Sequence, residues 1–545
     1  MSIPSVKQLK IQTLFCHLFF SSVFLNGLDL SSGGVLSKSQ ASIDVHHYDI
    51  DLRVDPYKRF ISGKVKIKFT LLEATSVFEF DLYQSFTISG VLINGMNLDF
   101  EHKNHTIFIP NPDIDLFDTH QLVIKYGGSP PVAKRPPWDG GFTWETSESG
   151  HPWVGVSCQG NGAHVWYPCK EHPSDKADSA DIKITAPDPI KAVANGLLVS
   201  KKQKDLWTTW HWKTQYPIST YNINFTLGGF NVVEKTGYIL NKPLKIVYYV
   251  LPEAEKGAVE LLNLTEEYLN FYANSFGQYP WIKEKFGLVH TPYWGMEHQT
   301  INAYGNAYKK TKLGYDFILF HEMGHEWWGN YLSVADWSDF WIHEGFDTYA
   351  EAMFVEEKFG WDMAIQFVDE RYKKNIKNDY PVVMDKNGTT KNPAGNDVYY
   401  KGAHVLHMLR YLIGDEIFRS SLKEYISMPK ELEKNQTSTK EFISLIEENT
   451  GLDLQWFFDV YLYQGELPIL NVKEKFLKEK LLIDFWWENK GFVMPIEITY
   501  NGHGGKTTRK LVLNNKPHRV AINKKEKYEL DPDHWLLFDT NRDFK

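Results

Sequence analysis

The residues best able to do chemistry stand in one short run, His321-Glu322-Met323-Gly324-His325, after the apolar stretch Phe317-Ile318-Leu319-Phe320 and before Trp327 and Trp328. Side chains four apart on a helix stand one turn above each other, so two imidazoles at this spacing can reach one Zn²⁺, with Glu322 beside it. Zinc lowers the pKa of a bound water from about 15.7 to ~7, which lets a neighbouring carboxylate take its proton at neutral pH and deliver it later to a leaving amine. A catalytic zinc needs a further protein donor. The pattern that supplies a third histidine on the same segment fails, because Trp328 and Tyr331 occupy the places of its Gly and His. The donor must come from another element. Eighteen residues intervene between His325 and Glu344, which lies in a second helical pattern that starts Trp341-Ile342-His343-Glu344-Gly345-Phe346 and runs through Tyr349 and Phe354. A helix packed on the first could present it.

The elements that must hold these residues follow from composition and periodicity. A chain of 545 residues has room for three or four domains. With 43% hydrophobic and 15% aromatic residues, global disorder is excluded. Lys and Arg number 59 against 68 Asp and Glu, a net charge of −9 with no dense basic stripe, which excludes nucleic acid as a partner. Cys16, Cys158 and Cys169 are the only cysteines, too few for a disulfide framework; Cys158 and Cys169 are expected as two buried thiols, with a bridge between them the alternative if the chain is exported. Alternation in Tyr48, Ile50, Leu52, Val54 and in Val65, Ile67, Phe69 predicts a β-rich domain over residues 41–250. Longer amphipathic stretches predict a mainly helical domain over 251–467, and renewed alternation in Leu481, Ile483, Phe485 and Ile496, Ile498, Tyr500 predicts a small β domain over 468–545. Residues 1–40 read as a signal peptide and disordered linker: Lys7 and Lys10, fifteen mostly apolar residues over 11–25, then small polar ones. Export to the periplasm or cell exterior is expected, with membrane association if the segment stays uncleaved. No stable membrane span is predicted, since a span needs ~20 apolar residues.

The spacing His-Glu-x-x-His, eighteen residues, Glu is accompanied by Trp328-Gly329-Asn330, Glu344-Gly345-Phe346, Tyr279-Pro280-Trp281, Gln159 ahead of Tyr167-Pro168-Cys169, and Tyr48-Asp49-Ile50-Asp51-Leu52 with Gly63. In these features the chain resembles the M1 family of zinc aminopeptidases, which are gluzincins. The resemblance implies an α+β multidomain fold, with an N-terminal β-rich saddle domain, a mainly helical thermolysin-like catalytic domain and a small C-terminal β-sandwich domain. It implies one zinc ion on His321, His325 and Glu344, Glu322 as the base, and peptides with a free N-terminus as partners.

Trp294-Gly295-Met296-Glu297-His298 resembles the family's G-A-M-E-N segment, which implies that Gly295 and Met296 lie along the substrate and that Glu297 binds its amine. An exopeptidase must tell an α-ammonium from an internal amide, and a carboxylate does so by charge pairing. Gln159 is the second contact that the resemblance implies, its amide oxygen accepting from the ammonium. Asp397-Val398-Tyr399-Tyr400-Lys401-Gly402-Ala403 resembles the family's Y-x-K-G-A stretch, and its register selects Tyr399, not Tyr400, as donor to the oxyanion. Trp294, His298 and His343 depart from the family pattern. Two other functions stay open on the residues: a zinc endopeptidase with the same ligands and no amine clamp, and a catalytically inactive binding protein on the same scaffold.

Overall fold

The computed structural model describes residues 31–502 and 505–544. The expected signal segment therefore lies outside the described residues up to 30. Residues 31–40, expected as disordered linker, are instead packed: Ser32 Oγ donates to Glu171 Oε1 at 2.8 Å, Trp337 Nε1 donates to Ser32 Oγ at 3.1 Å, and Gln40 Nε2 donates to Asp81 Oδ2 at 2.7 Å. Small polar residues look like linker in a sequence. Here they add donors to carboxylates that also accept, for Glu171, from Ala163 N and, for Asp81, from Glu171 N and Thr106 Oγ1.

The N-terminal part centres on an eight-stranded sheet, whose central strand Ile43–Asp55 runs antiparallel to Phe60–Leu71 and parallel to Ser179–Pro187. The alternating side chains Tyr48, Ile50, Leu52 and Val54 are all buried, and so are Val65, Ile67 and Phe69 across the pairing. Period two has put one face of each strand into the core. Cys158 and Cys169 are both buried and unpaired, and burial pushes both thiols up.

The boundary expected at residue 250 falls inside a sheet. Strands Asn231–Ile239 and Lys242–Val250 belong to a five-stranded sheet with Lys285–His290, Asn302–Tyr304 and Gly295–Met296, so by hydrogen bonding they join the middle of the chain. Alternation marks a strand but does not say which sheet it joins. In this sheet Gly295–Met296 is one of the two edge strands, paired among the described residues with Asn302–Tyr304 alone.

The helices of the middle part include Glu255–Phe276, Phe317–Gly324, Trp341–Phe359 and Asp397–Ile413. Asp316 caps the second of these, accepting from Leu319 N at 3.0 Å. The helix Trp341–Phe359 is buried over almost its whole length, Trp341 to Val355. It crosses Asp397–Ile413 at a glycine pair: a Cβ on Gly345 would stand 3.0 Å from Gly402 Cα, so only hydrogen atoms fit between the backbones. That close approach carries Glu344 and Tyr399 towards the same space. The C-terminal part forms a four-stranded and a three-stranded sheet that bury Ile483, Phe485, Trp487, Ile496 and Ile498. Among the described residues no helix is long and apolar enough to cross a membrane.

Candidate active site and metal centre

His321 sits on the helix Phe317–Gly324 and His325 caps its C-terminus, which brings their Nε2 atoms to 3.3 Å. Glu344 Oε2 lies 3.4 Å from His325 Nε2 and 3.8 Å from His321 Nε2. One ligand atom from each of the three falls within 4.8 Å of the others. The outer nitrogens are held from behind: His325 Nδ1 stands 2.8 Å from the Trp328 carbonyl oxygen, and His321 Nδ1 stands 2.9 Å from Asp347 Oδ2 and 3.3 Å from Glu351 Oε1. Such partners fix the tautomer that presents Nε2 to a metal. Asp347 and Glu351 were not anticipated from the sequence. Their spacing from Glu344, three and seven residues along one helix face, was the available signal.

These residues fit a divalent cation on two grounds. Glu344 Oε2 is buried and has no hydrogen-bond partner, an arrangement that costs free energy unless a cation meets it. Glu297, Glu322, Glu344, Asp347 and Glu351 are all buried around the two histidines, so acid outnumbers base. The same crowding moves the proton affinities. Burial pushes Glu322 up to about 8, helped by Glu297 and Glu344 and opposed by His321 and His325. Burial alone would lower His325, but Glu344 and Asp347 carry it up to about 10.

Glu297 stands on the far side of Glu322 and His325, with one ligand atom of each within 4.8 Å of the others. Its Oε1 accepts from Gln159 Nε2 at 2.7 Å and from Tyr221 OH at 3.1 Å, and its backbone carbonyl accepts from Asn330 Nδ2 at 2.9 Å. Because the Gln159 amide turns its nitrogen to this carboxylate, its oxygen is left for another donor. Tyr221 was not anticipated from the sequence, and Asn330, marked there only as part of Trp328-Gly329-Asn330, had no role assigned. Gly295 and Met296 line the same cavity, of about 320 Å³. A Cβ on Gly295 would stand 2.3 Å from Glu322 Oε1, so glycine there keeps room for the carboxylate.

Both Tyr399 and Tyr400 line the cavity, but Tyr399 is the one that faces the acids. Burial raises its phenol well above the ordinary range, with Glu344, Glu297 and Glu322 adding to the effect, and its ring lies 6.3 Å from that of His321. The three departures are accommodated differently. His343 Nε2 accepts from Val334 N at 3.0 Å, and burial, with His325 and Lys176, keeps that ring neutral. His298 is buried and pushed down to about 3. Trp294 is 45% exposed at the cavity, its Nε1 donating to Asn306 Oδ1 at 3.0 Å.

Comparison with known families bears on this arrangement at two places along the chain. The pattern for the Peptidase M1 N-terminal domain matches residues 45–222, and that for the Peptidase family M1 domain matches 260–461. This chain belongs to the M1 peptidase family. Its M1 relatives include glutamyl aminopeptidase of Sus scrofa, 28% identical over 338 residues, which are 56% of this chain and 34% of the relative. Aminopeptidase M1-D of Oryza sativa subsp. japonica is 24% identical over 361 residues, 62% of this chain and 40% of the relative. The matches thus span between about a third and two fifths of the length of these relatives. The M1 zinc metallopeptidase from Deinococcus radiodurans shares the fold, with a TM-score of 0.65 at 22% identity over 78% of this chain and 95% of that structure.

Proposed function

We propose that this chain is a zinc aminopeptidase that removes N-terminal amino acids from peptides with a free amine. The observation that carries the reading is the nearness of two sites: a carboxylate held by Gln159 and Tyr221 lies within 4.8 Å of the histidine and glutamate that would do the chemistry. A substrate's α-nitrogen is separated from its first carbonyl carbon by two bonds of about 1.5 Å each. With the amine on Glu297, the first peptide bond is therefore the one that reaches His325 and Glu322. An endopeptidase has no use for such a clamp, and a binding scaffold has no use for Glu322.

His321, His325 and Glu344 would hold one zinc ion, which supplies Lewis acidity and an acidified water when bound. Glu297 and the Gln159 oxygen bind and orient the ammonium. Glu322 takes a proton from the attacking water at its carboxylate and returns it to the departing amine nitrogen. Tyr399 donates its phenolic hydrogen to the oxygen that becomes negative, and its raised proton affinity keeps that hydrogen in place. Gly295 and Met296 offer the unpaired edge of their strand to the substrate backbone.

Paired peptides with free and acetylated N-termini test the reading, assayed with chelator and again after zinc is restored. Zinc-dependent release of the first residue from the free peptide is expected, with the acetylated one inert. Equal cleavage of both would overturn it. We also propose that the protein is exported, supported by the charged and then apolar order of residues 7–25. N-terminal sequencing of the secreted chain should then find cleavage ahead of Ser32, whose hydroxyl is bonded to Glu171.

A further inference from the structure

Among the described lysines and arginines, Arg371 alone lines the site cavity. Its guanidinium carbon lies 4.3 Å from the centroid of the Phe317 ring, and Phe317 stands one turn before His321. Its Nε is 3.4 Å from Glu351 Oε2, in ionic contact but without a formed hydrogen bond. Neither Nη nitrogen donates to a described residue, and neither is sealed from solvent as Nε is. The Phe317 ring and Glu351 hold the Nε side of the group, so the two Nη donors remain open. That shape matches a carboxylate.

Its place along the cavity says whose carboxylate. From Glu297 the chain runs back through the two-residue edge strand Gly295–Met296 to Trp294, whose ring lies 5.9 Å from that of Phe317. At no more than about 3.3 Å per residue, the backbone of Trp294 lies within roughly 10 Å of the amine clamp, and the Phe317 ring and then the Arg371 guanidinium follow from the Trp294 ring. A peptide with its amine on Glu297 reaches them with the residues that follow the scissile bond.

We propose that Arg371 binds a carboxylate carried by the substrate beyond the scissile bond, either the chain-terminal carboxylate of a short peptide or an Asp or Glu side chain. This rests on the aminopeptidase reading and adds a substrate class to it.

The test compares kcat/KM ratios for the zinc-loaded wild type, R371Q and R371K. One pair is Ala-Ala against its C-terminal amide; a second is Ala-Glu-amide against Ala-Gln-amide; a third is Glu-anilide against Gln-anilide. The wild type should prefer the acid by roughly ten- to a hundredfold in the first pair, the second or both. R371Q should bring that preference close to one, and R371K should keep part of it, as an ammonium has the charge without the fork. The first two pairs separate a terminal from a side-chain carboxylate. Wild-type ratios near one in both pairs would overturn the proposal without any variant. So would an R371Q defect equal for acid and amide, which is what a prop for Glu351 would give, or a preference that R371Q moves in the third pair alone. If the wild type cleaves none of the free-amine substrates, the aminopeptidase reading itself falls.

Discussion

At one end of the cavity, His321 and His325 come from consecutive turns of one helix and Glu344 from the next helix. At the other end, Gln159 meets Glu297 across 138 residues of chain and Tyr221 meets it across 76. The first end is written into local spacing, because helical periodicity alone makes the imidazoles neighbours. The second depends on the N-terminal part docking correctly against the middle of the chain. The comparison teaches that, on the proposed function, chemistry and recognition share one cavity while depending on different levels of structure, and so can be damaged separately.

The strongest way to break the comparison is at Glu322. Glu322→Gln should lower kcat by about 10²- to 10⁴-fold, with zinc content unchanged by metal analysis, since the ligands are untouched. Loss of zinc in this variant would show that the metal end is not self-contained. Next comes Glu297→Ala, which removes a charge partner of the ammonium. A fall in kcat/KM for free-amine substrates of about ten- to a hundredfold is expected, again with full zinc occupancy. Unaltered kinetics would leave the two ends without separate roles. The smallest effect is expected at Tyr221→Phe, which deletes one hydrogen bond to Glu297 and should raise KM about three- to tenfold with kcat nearly constant. A larger drop in kcat than rise in KM would mean that Tyr221 reaches the chemistry as well.

The unevenness of the sequence reading has the same origin. The β-rich, helical and β-rich order was legible because burial on one face imposes period two on strands and 3.6 on helices. The boundary at 250 is misplaced because strands Asn231–Ile239 and Lys242–Val250 alternate like those before them, yet they pair with each other and Lys242–Val250 pairs onward with Lys285–His290. Residues 31–40 look like linker because polarity in a sequence does not reveal that Glu171 and Asp81, far along the chain, accept hydrogen bonds from Ser32 and Gln40. Asp347 was missed although it supports His321. It gets there because Gly324 leaves space: a Cβ at that glycine would fall 1.5 Å from Asp347 Oδ1.

By itself the sequence determined the histidine pair, the glutamate between them and the types of secondary structure around them, because each depends on residues within a turn or two. Only the tertiary structure decided that Glu344 arrives with one oxygen unmet, that Gln159 turns its nitrogen to Glu297, and that Arg371 keeps a free edge beside Phe317. Those are relations between atoms from distant parts of the chain. They are set by how sheets and helices pack, which no local spacing encodes.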